Sequence, residues 1–263
     1  MADKPAPARG RVLVTRPAGG SSDALCAAVE RAGFEAFRQP LLQVDAMPEL
    51  SGAQRSLLLD LDLYQHVIFI SSNAVRFGMD RIEEYWPQIP VGISWYAIGD
   101  ATAALLASFG IEAVTPGAAM TSEGLLALPG LLDVLDERVL IVKGEGGRET
   151  LRNELAGRGA RVDELACYRR SLPEMSAGAL AEKLIAWGID VILVSSGEGL
   201  ANLQLLLTPT ETSKLKPMAL VVPSERVARL ARGAGFDQVV TAENASDTAM
   251  VHALETWSPG MGG

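Results

Sequence analysis

The sequence predicts an α/β fold of two doubly wound, Rossmann-like lobes, each a parallel sheet covered by helices. Three observations predict it: strands that are apolar without interruption, helices that stop at glycine, and a three-part pattern that occurs twice. Val12-Leu-Val14, Val67-Ile-Phe-Ile70, Tyr96-Ala-Ile98, Val139-Leu-Ile-Val142, Val191-Ile-Leu-Val194 and Ala219-Leu-Val-Val222 contain no alternating polar residues. Both faces of such strands must be covered, as in a parallel sheet between helix layers. Helices are expected over 22–32, 72–85, 100–109, 148–158, 197–207 and 225–234. Gly33, Gly110, Gly159 and Gly235 follow four of them as left-handed stop signals. Shorter strands are expected through 36–38, 113–115, 162–168 and 238–241.

The repeat relates three pairs of segments at nearly one offset. Arg11-Val-Leu-Val-Thr-Arg-Pro17 returns as Arg138-Val-Leu-Ile-Val-Lys-Gly144. His66-Val-Ile-Phe-Ile-Ser-Ser-Asn-Ala74 returns as Asp190-Val-Ile-Leu-Val-Ser-Ser-Gly-Glu198, and Trp95-Tyr-Ala-Ile98 as Met218-Ala-Leu-Val-Val222. Duplicated strand–helix units of this kind imply two similar lobes, which usually hold a ligand between them. Phe37–Val44 and Ala166–Pro173 break the pattern. Each is extended and runs into proline-containing chain, so they are the expected interdomain connections, with helices over 51–59 and 176–186 following.

Bulk properties exclude several classes. The chain has 263 residues and a net charge of −9, with 5% aromatic residues. An acidic, aromatic-poor chain is a poor match for a nucleic-acid backbone or for a stacking platform on single strands. Residues 1–10 have no apolar core of a secretory signal, and no run approaches the ~18 apolar residues that span a bilayer. The expectation is therefore no nucleic acid, no membrane and a cytoplasmic location, with frayed tails over 1–10 and 258–263. Cys26 and Cys167 fall within a helix and a strand, as two buried free thiols rather than a disulfide.

Ligands of doubly wound sheets bind beyond the carboxyl ends of the strands, where helix N-termini present free N–H groups. The residues expected there are Thr15, Arg16, Ser71, Ser72, Thr102, Lys143, Arg148, Ser195, Ser196 and Ser224. Any single serine among them is first a helix cap. Six such turns rich in hydroxyls, glycines and exposed amides suit a ligand with many carboxylates or phosphates. Gly144-Glu-Gly-Gly147 matches neither a Walker loop nor a dinucleotide fingerprint. His66 and His252 lie away from these turns, which disfavours a Ser–His–acid triad, and no Cys/His cluster has metal spacing. Proton transfer then falls to tyrosine, acid or water. Tyr168, between Cys167 and Arg169-Arg170, is a candidate whose phenol could face the cleft, although a tyrosine at a domain junction is more often a packing group.

These turns, taken in order, resemble the uroporphyrinogen-III synthase family over nearly the whole chain, from Val12 to about Trp257. The resemblance rests on Val14-Thr-Arg-Pro17, Phe69-Ile-Ser-Ser-Asn-Ala-Val75, Ala97-Ile-Gly-Asp-Ala-Thr-Ala103, Gly144-Glu-Gly-Gly-Arg-Glu-Thr-Leu151, Cys167-Tyr-Arg-Arg170, Val194-Ser-Ser-Gly-Glu-Gly-Leu200 and Val222-Pro-Ser-Glu-Arg-Val-Ala228. It implies two lobes joined by a two-stranded β-ladder, with the active site in the cleft between them. One lobe would hold 11–36 with 172–257, the other 44–164, and the ladder 37–43 with 165–171. It implies an enzyme without cofactor that closes the linear tetrapyrrole hydroxymethylbilane with its last ring inverted. Tyr168 matches the family tyrosine proposed to assist departure of the hydroxyl, and Ser71, Thr102, Ser195 and Ser224 match cleft-lining positions. Ser224 stands where the family often has threonine. Thr15, Arg16, Lys143 and Arg148 are added as carboxylate contacts on electrostatic grounds. A monomer is expected, and there is room for a transient hand-over from hydroxymethylbilane synthase.

Two other classes fit part of the pattern. A non-catalytic two-lobed protein would bind a small anion and leave a substrate's isomer ratio unchanged. A nucleotide-sugar transferase would carry a diphosphate-binding turn and a catalytic His or acid, neither of which stands out here.

Overall fold

The computed structural model describes residues 8–147, 149–215 and 218–257. In chain order the elements are β1 (Arg11–Val14), α1 (Gly20–Arg31), β2 (Glu35–Arg38), β3 (Gln43–Ala46), α2 (Gly52–Leu59), β4 (His66–Phe69), α3 (Ser72–Tyr85), β5 (Ser94–Ala97), α4 (Asp100–Ala107) and α5 (Ser122–Leu126). There follow β6 (Arg138–Gly144), α6 (Thr150–Gly157), β7 (Arg161–Ser171), α7 (Ala179–Trp187), β8 (Val191–Leu193), α8 (Gly197–Leu206), α9 (Pro209–Leu215), β9 (Ala219–Val222), α10 (Glu225–Gly233), β10 (Val239–Thr241) and α11 (Asp247–Thr256).

The chain divides into two units. One combines the residues up to Gln43 with those from Ser171 onward, and the other is Val44–Arg170. The first is built on a five-stranded sheet in the order β10-β9-β8-β1-β2, parallel throughout. The second has the order β3-β7-β6-β4-β5, with β7, β6, β4 and β5 mutually parallel and Val114 bridging Tyr96 beyond β5. The repeat therefore has a simple spatial meaning. In each unit the strand from one copy's first segment lies beside the strand of the other copy's second segment, β1 beside β8 and β6 beside β4.

Strand apolarity without alternation is explained by burial on both faces. In the 44–170 unit, Val67, Phe69, Leu140 and Val142 pack on one side of the sheet, and Ile68, Val139 and Ile141 on the other. In the other unit Leu13, Ile192, Val194 and Leu220 oppose Val12, Val14, Leu193 and Val221 in the same way. Burying each such side chain stabilises by roughly 1.5–3 kcal/mol before entropy is subtracted. Glycine ends several helices as expected: Gly33, Gly110, Gly159 and Gly235 all have φ between 75° and 92°.

Two expectations are corrected. The stretch 113–115 forms an isolated bridge, not a strand. The segments 37–43 and 165–171, expected as a ladder, fall partly within longer strands. Phe37 and Arg38 close β2 against β1, and β7 runs unbroken from Arg161 to Ser171 with β3 as its neighbour. The reason is burial, since Leu165, Cys167 and Tyr168 are core residues of the 44–170 unit. The tail expected over 1–10 is ordered at its end: Arg9 N–H donates to Gly33 O at 2.9 Å and its guanidinium lies 4.8 Å over the Phe34 ring. Residues 1–7 and 258–263 lie outside the described residues. Finally, α5 and α9 have no counterpart in the sequence reading, because neither is long enough to show helical periodicity. Both cysteines are free and buried. No helix of the described residues is long and apolar enough to cross a membrane.

Candidate active site

In the 44–170 unit the predicted residues sit at the carboxyl ends of four adjacent strands: Tyr168 on β7, Lys143 on β6, Ser71 and Ser72 after β4, and Thr102 in α4 after β5. A register shift decides which way Tyr168 faces. Lys143 pairs with Ala166, but Gly144 pairs with Tyr168, so Cys167 is the extra residue of a bulge. Side chains alternate along a strand, and a bulge resets that alternation. Leu165, Cys167 and Tyr168 consequently all join the core on the α3 face.

There the Tyr168 ring, 2% exposed, stacks on Phe77 of α3 with centroids 5.7 Å apart. The ring also lies against Gly144, where a Cβ would stand 2.6 Å from ring carbons Cε2 and Cζ. The Tyr168 hydroxyl lies 3.0 Å from Ser71 Oγ. Ser71 is the N-cap of α3, accepting from the Ala74 N–H at 3.0 Å. The Tyr168 oxygen is thereby held at the N-terminus of α3.

Lys143 and Glu164 lie on the opposite face of the same sheet. Their side chains are 7% and 27% exposed and meet at 2.9 Å, Nζ to Oε1. They line a cavity of about 400 Å³ with Ile70, Ile98, Ile141 and Arg152. Lys143 is thus neutralised by a carboxylate 21 residues away, a pairing that local sequence does not reveal. Thr102 is buried in the first turn of α4. Met120 closes over the Gly99 turn, where a Cβ would stand 2.6 Å from its sulfur. Arg148 lies outside the described residues.

Beside Tyr168, the Cys167 thiol is 3.3 Å from Lys143 O and 3.7 Å from Ala74 O. Burial pushes its pKa up to about 12. It is a packing group, not a nucleophile.

In the other unit, Thr15 and Arg16 follow β1, Ser195 and Ser196 follow β8, and Ser224 follows β9. Thr15 is buried and donates to Leu193 O at 2.7 Å, which ties β1 to β8. Arg16 uses four of its five N–H groups within its unit: Nε donates to Ser195 Oγ, Nη1 to Ser21 O and to the Asp247 carboxylate, and Nη2 to Ala245 O. It locks the N-terminus of α11 to the end of β1. Ser196, not Ser195, caps α8 by accepting from Gly199 N–H at 3.0 Å. Ser224 holds the N-cap position of α10, yet its hydroxyl makes no capping bond. The structure therefore gathers Tyr168, Ser71, Gly144 and Phe77 into one arrangement and assigns Arg16, Lys143 and Thr15 to internal bonds. Phe77, Glu164 and Asp247 carry no local signal because each acts through a partner distant in sequence, and Gly144, legible only as part of a glycine-rich turn, seats the Tyr168 ring.

The model of the family "Uroporphyrinogen-III synthase HemD" matches residues 23–252. The chain is 34% identical over 252 residues to the uroporphyrinogen-III synthase of Salmonella typhimurium, covering 93% of this chain and 99% of that protein. It is 32% identical to the Escherichia coli protein of the same name, with the same coverage. Among solved structures, a mutant uroporphyrinogen III synthase from Thermus thermophilus has a TM-score of 0.58 at 20% identity, covering 94% of this chain and 100% of that one. The Helicobacter pylori uroporphyrinogen-III synthetase has a TM-score of 0.59 at 12% identity, covering 93% and 98%. Those two likenesses concern the fold alone. With a family model spanning most of the chain and relatives of matching length above 30% identity, this α/β protein belongs to the uroporphyrinogen-III synthase family.

Proposed function

We propose that the protein cyclises hydroxymethylbilane to uroporphyrinogen III, inverting ring D and releasing water, without a cofactor. The observation that carries this reading is end-to-end similarity to enzymes of that name, at 93% coverage of this chain. The chemistry suits the residues available. Loss of the terminal hydroxyl gives an azafulvene cation, and the substituted α-carbon of the far pyrrole attacks it. The resulting spiro intermediate fragments and recloses with that ring turned. The bilane also closes unaided, unturned, so the enzyme's main task is to hold its two ends in one near-attack pose.

Acid assistance to the departing hydroxyl is the second task, and Tyr168 is its donor. The Tyr168 oxygen is fixed by Ser71, Phe77 and Gly144. Hydroxyls of Ser72 and Ser224, with the backbone N–H groups of the helix N-termini, suit a substrate bearing eight carboxylates. Arg16 and Lys143, already paired, position these turns instead. A cytoplasmic setting agrees with two unpaired cysteines, and a monomer receiving the labile bilane directly from hydroxymethylbilane synthase is the simplest arrangement. The experiment is a coupled assay: hydroxymethylbilane is generated enzymatically in the presence of this protein and the two product isomers are resolved. Uroporphyrinogen III as the main product supports the reading. The spontaneous isomer composition refutes it and leaves a non-catalytic anion-binding protein.

A further inference from the structure

A serine hydroxyl has one proton and two lone pairs. Backbone geometry commits one lone pair of Ser71 Oγ, which accepts from the Ala74 N–H at the first turn of α3. Tyr168 Oη, 3.0 Å away, meets what remains, the Ser71 proton or its second lone pair. In the resting protein either oxygen can be the donor. That symmetry ends when Tyr168 acts. Once the phenol has lost its proton it is an acceptor only, and the sole hydrogen bond possible is Ser71 O–H to the phenolate.

We infer that Ser71 is a positioning residue that stabilises the Tyr168 phenolate as the substrate hydroxyl departs, an inference resting on the reading of Tyr168 as the acid. In that step the Tyr168 proton passes to the departing hydroxyl. The C–O bond breaks with its electron pair on oxygen, and water leaves an azafulvene cation facing a phenolate. When the far pyrrole recloses through its free α-carbon, that carbon loses a proton, which restores the phenol. Ser71 is suited to the interval between, because Ala74 N–H at the positive end of α3 polarises its O–H toward the phenolate. Such a bond is stronger to the charged form than to the neutral one, so it acts in the transition state more than in substrate binding. Phe77 and Gly144 hold the ring in the plane that keeps the oxygens in reach.

Variants that separate donating from capping test this. Ser71→Asp retains a strong helix cap but has no proton for a phenolate, whereas Ser71→Thr retains both functions. Ser71→Asp and Ser71→Ala should lower kcat for the turned isomer about 5- to 20-fold, the span between neutral and charge-assisted hydrogen bonds. KM should stay within about twofold and Ser71→Thr should stay near wild type. In a Tyr168→Phe background the Ser71 substitutions should add nothing. Ser51→Ala, which removes the cap of α2 in the same unit, controls for lost helix stability and should leave kcat unchanged. Wild-type kcat in Ser71→Asp, a raised KM with kcat retained, or a full multiplicative loss in the Tyr168→Phe background would each overturn the inference. Failure of the wild type to form the turned isomer would instead remove the proposed function itself.

Discussion

Gly144 and Tyr168 are partners across the β6–β7 bulge, and the space where Gly144 lacks a Cβ is filled by the Tyr168 ring, 2.6 Å from the ideal Cβ position. No real Cβ tolerates ring carbons at that distance. A methyl group there must displace the ring from the seat it shares with Phe77 and Ser71. Gly144→Ala should therefore lower turnover about as much as loss of the phenolic proton, ~10- to 100-fold. The overpacking should cost only about 1–3 kcal/mol in stability. Steady-state kinetics beside a thermal melt checks this, and unchanged kcat would show that the ring's seat is immaterial.

The Lys143–Glu164 pair predicts an asymmetry. Glu164→Ala strands an ammonium whose side chain is 7% exposed, whereas Lys143→Met leaves a carboxylate that is 27% exposed and can hydrate. Removing one partner of a buried pair costs about 3–5 kcal/mol because the other charge is left uncompensated, and less where water can reach that charge. Urea denaturation should rank Glu164→Ala well below Lys143→Met in stability. If Lys143→Met instead unfolds like wild type and raises KM, Lys143 is a direct substrate contact.

Alkaline pH should unfold the protein progressively. The Cys167 thiol, pushed up to about 12 by burial, keeps its proton when folded at pH values where the unfolded thiol, near 9, has lost it. Burial and the neighbouring Asp163 carboxylate raise the Tyr64 phenol in the same sense. The unfolded chain then releases protons that the folded one retains, so stability is full below about pH 9 and falls as pH rises toward 12. Denaturation midpoints measured from about pH 7 to 11 should decline, and Cys167→Ala should flatten part of the decline. In a Cys26→Ser background, native protein should resist thiol labelling that the unfolded chain accepts.

Much of this architecture was legible because its causes are local. Ile68 and Val139 announce a two-sided sheet by being apolar in unbroken runs, and Gly33 or Gly235 ends a helix by its own backbone. Ser71 could be named as a cap, since capping involves residues three apart. What stayed hidden depends on long-range geometry. Arg16 reads as a free cation until Asp247, 231 residues later, is placed beside it. Ser195 and Ser196 are indistinguishable in sequence, yet one accepts from Arg16 and the other caps α8. Alternation alone would place Tyr168 on the face opposite Cys167. Only the bulge at Gly144 carries it to α3.

The most direct test of the central claim is the rate and isomer composition of the product formed by Tyr168→Phe from enzymatically generated hydroxymethylbilane. If holding the bilane sets the outcome and the phenol only assists departure of its hydroxyl, the variant should still form uroporphyrinogen III, about 10- to 100-fold more slowly. An undiminished rate from correctly folded protein would remove Tyr168 from the reaction. Enzyme-dependent formation of the unturned isomer would contradict the division between positioning and acid assistance.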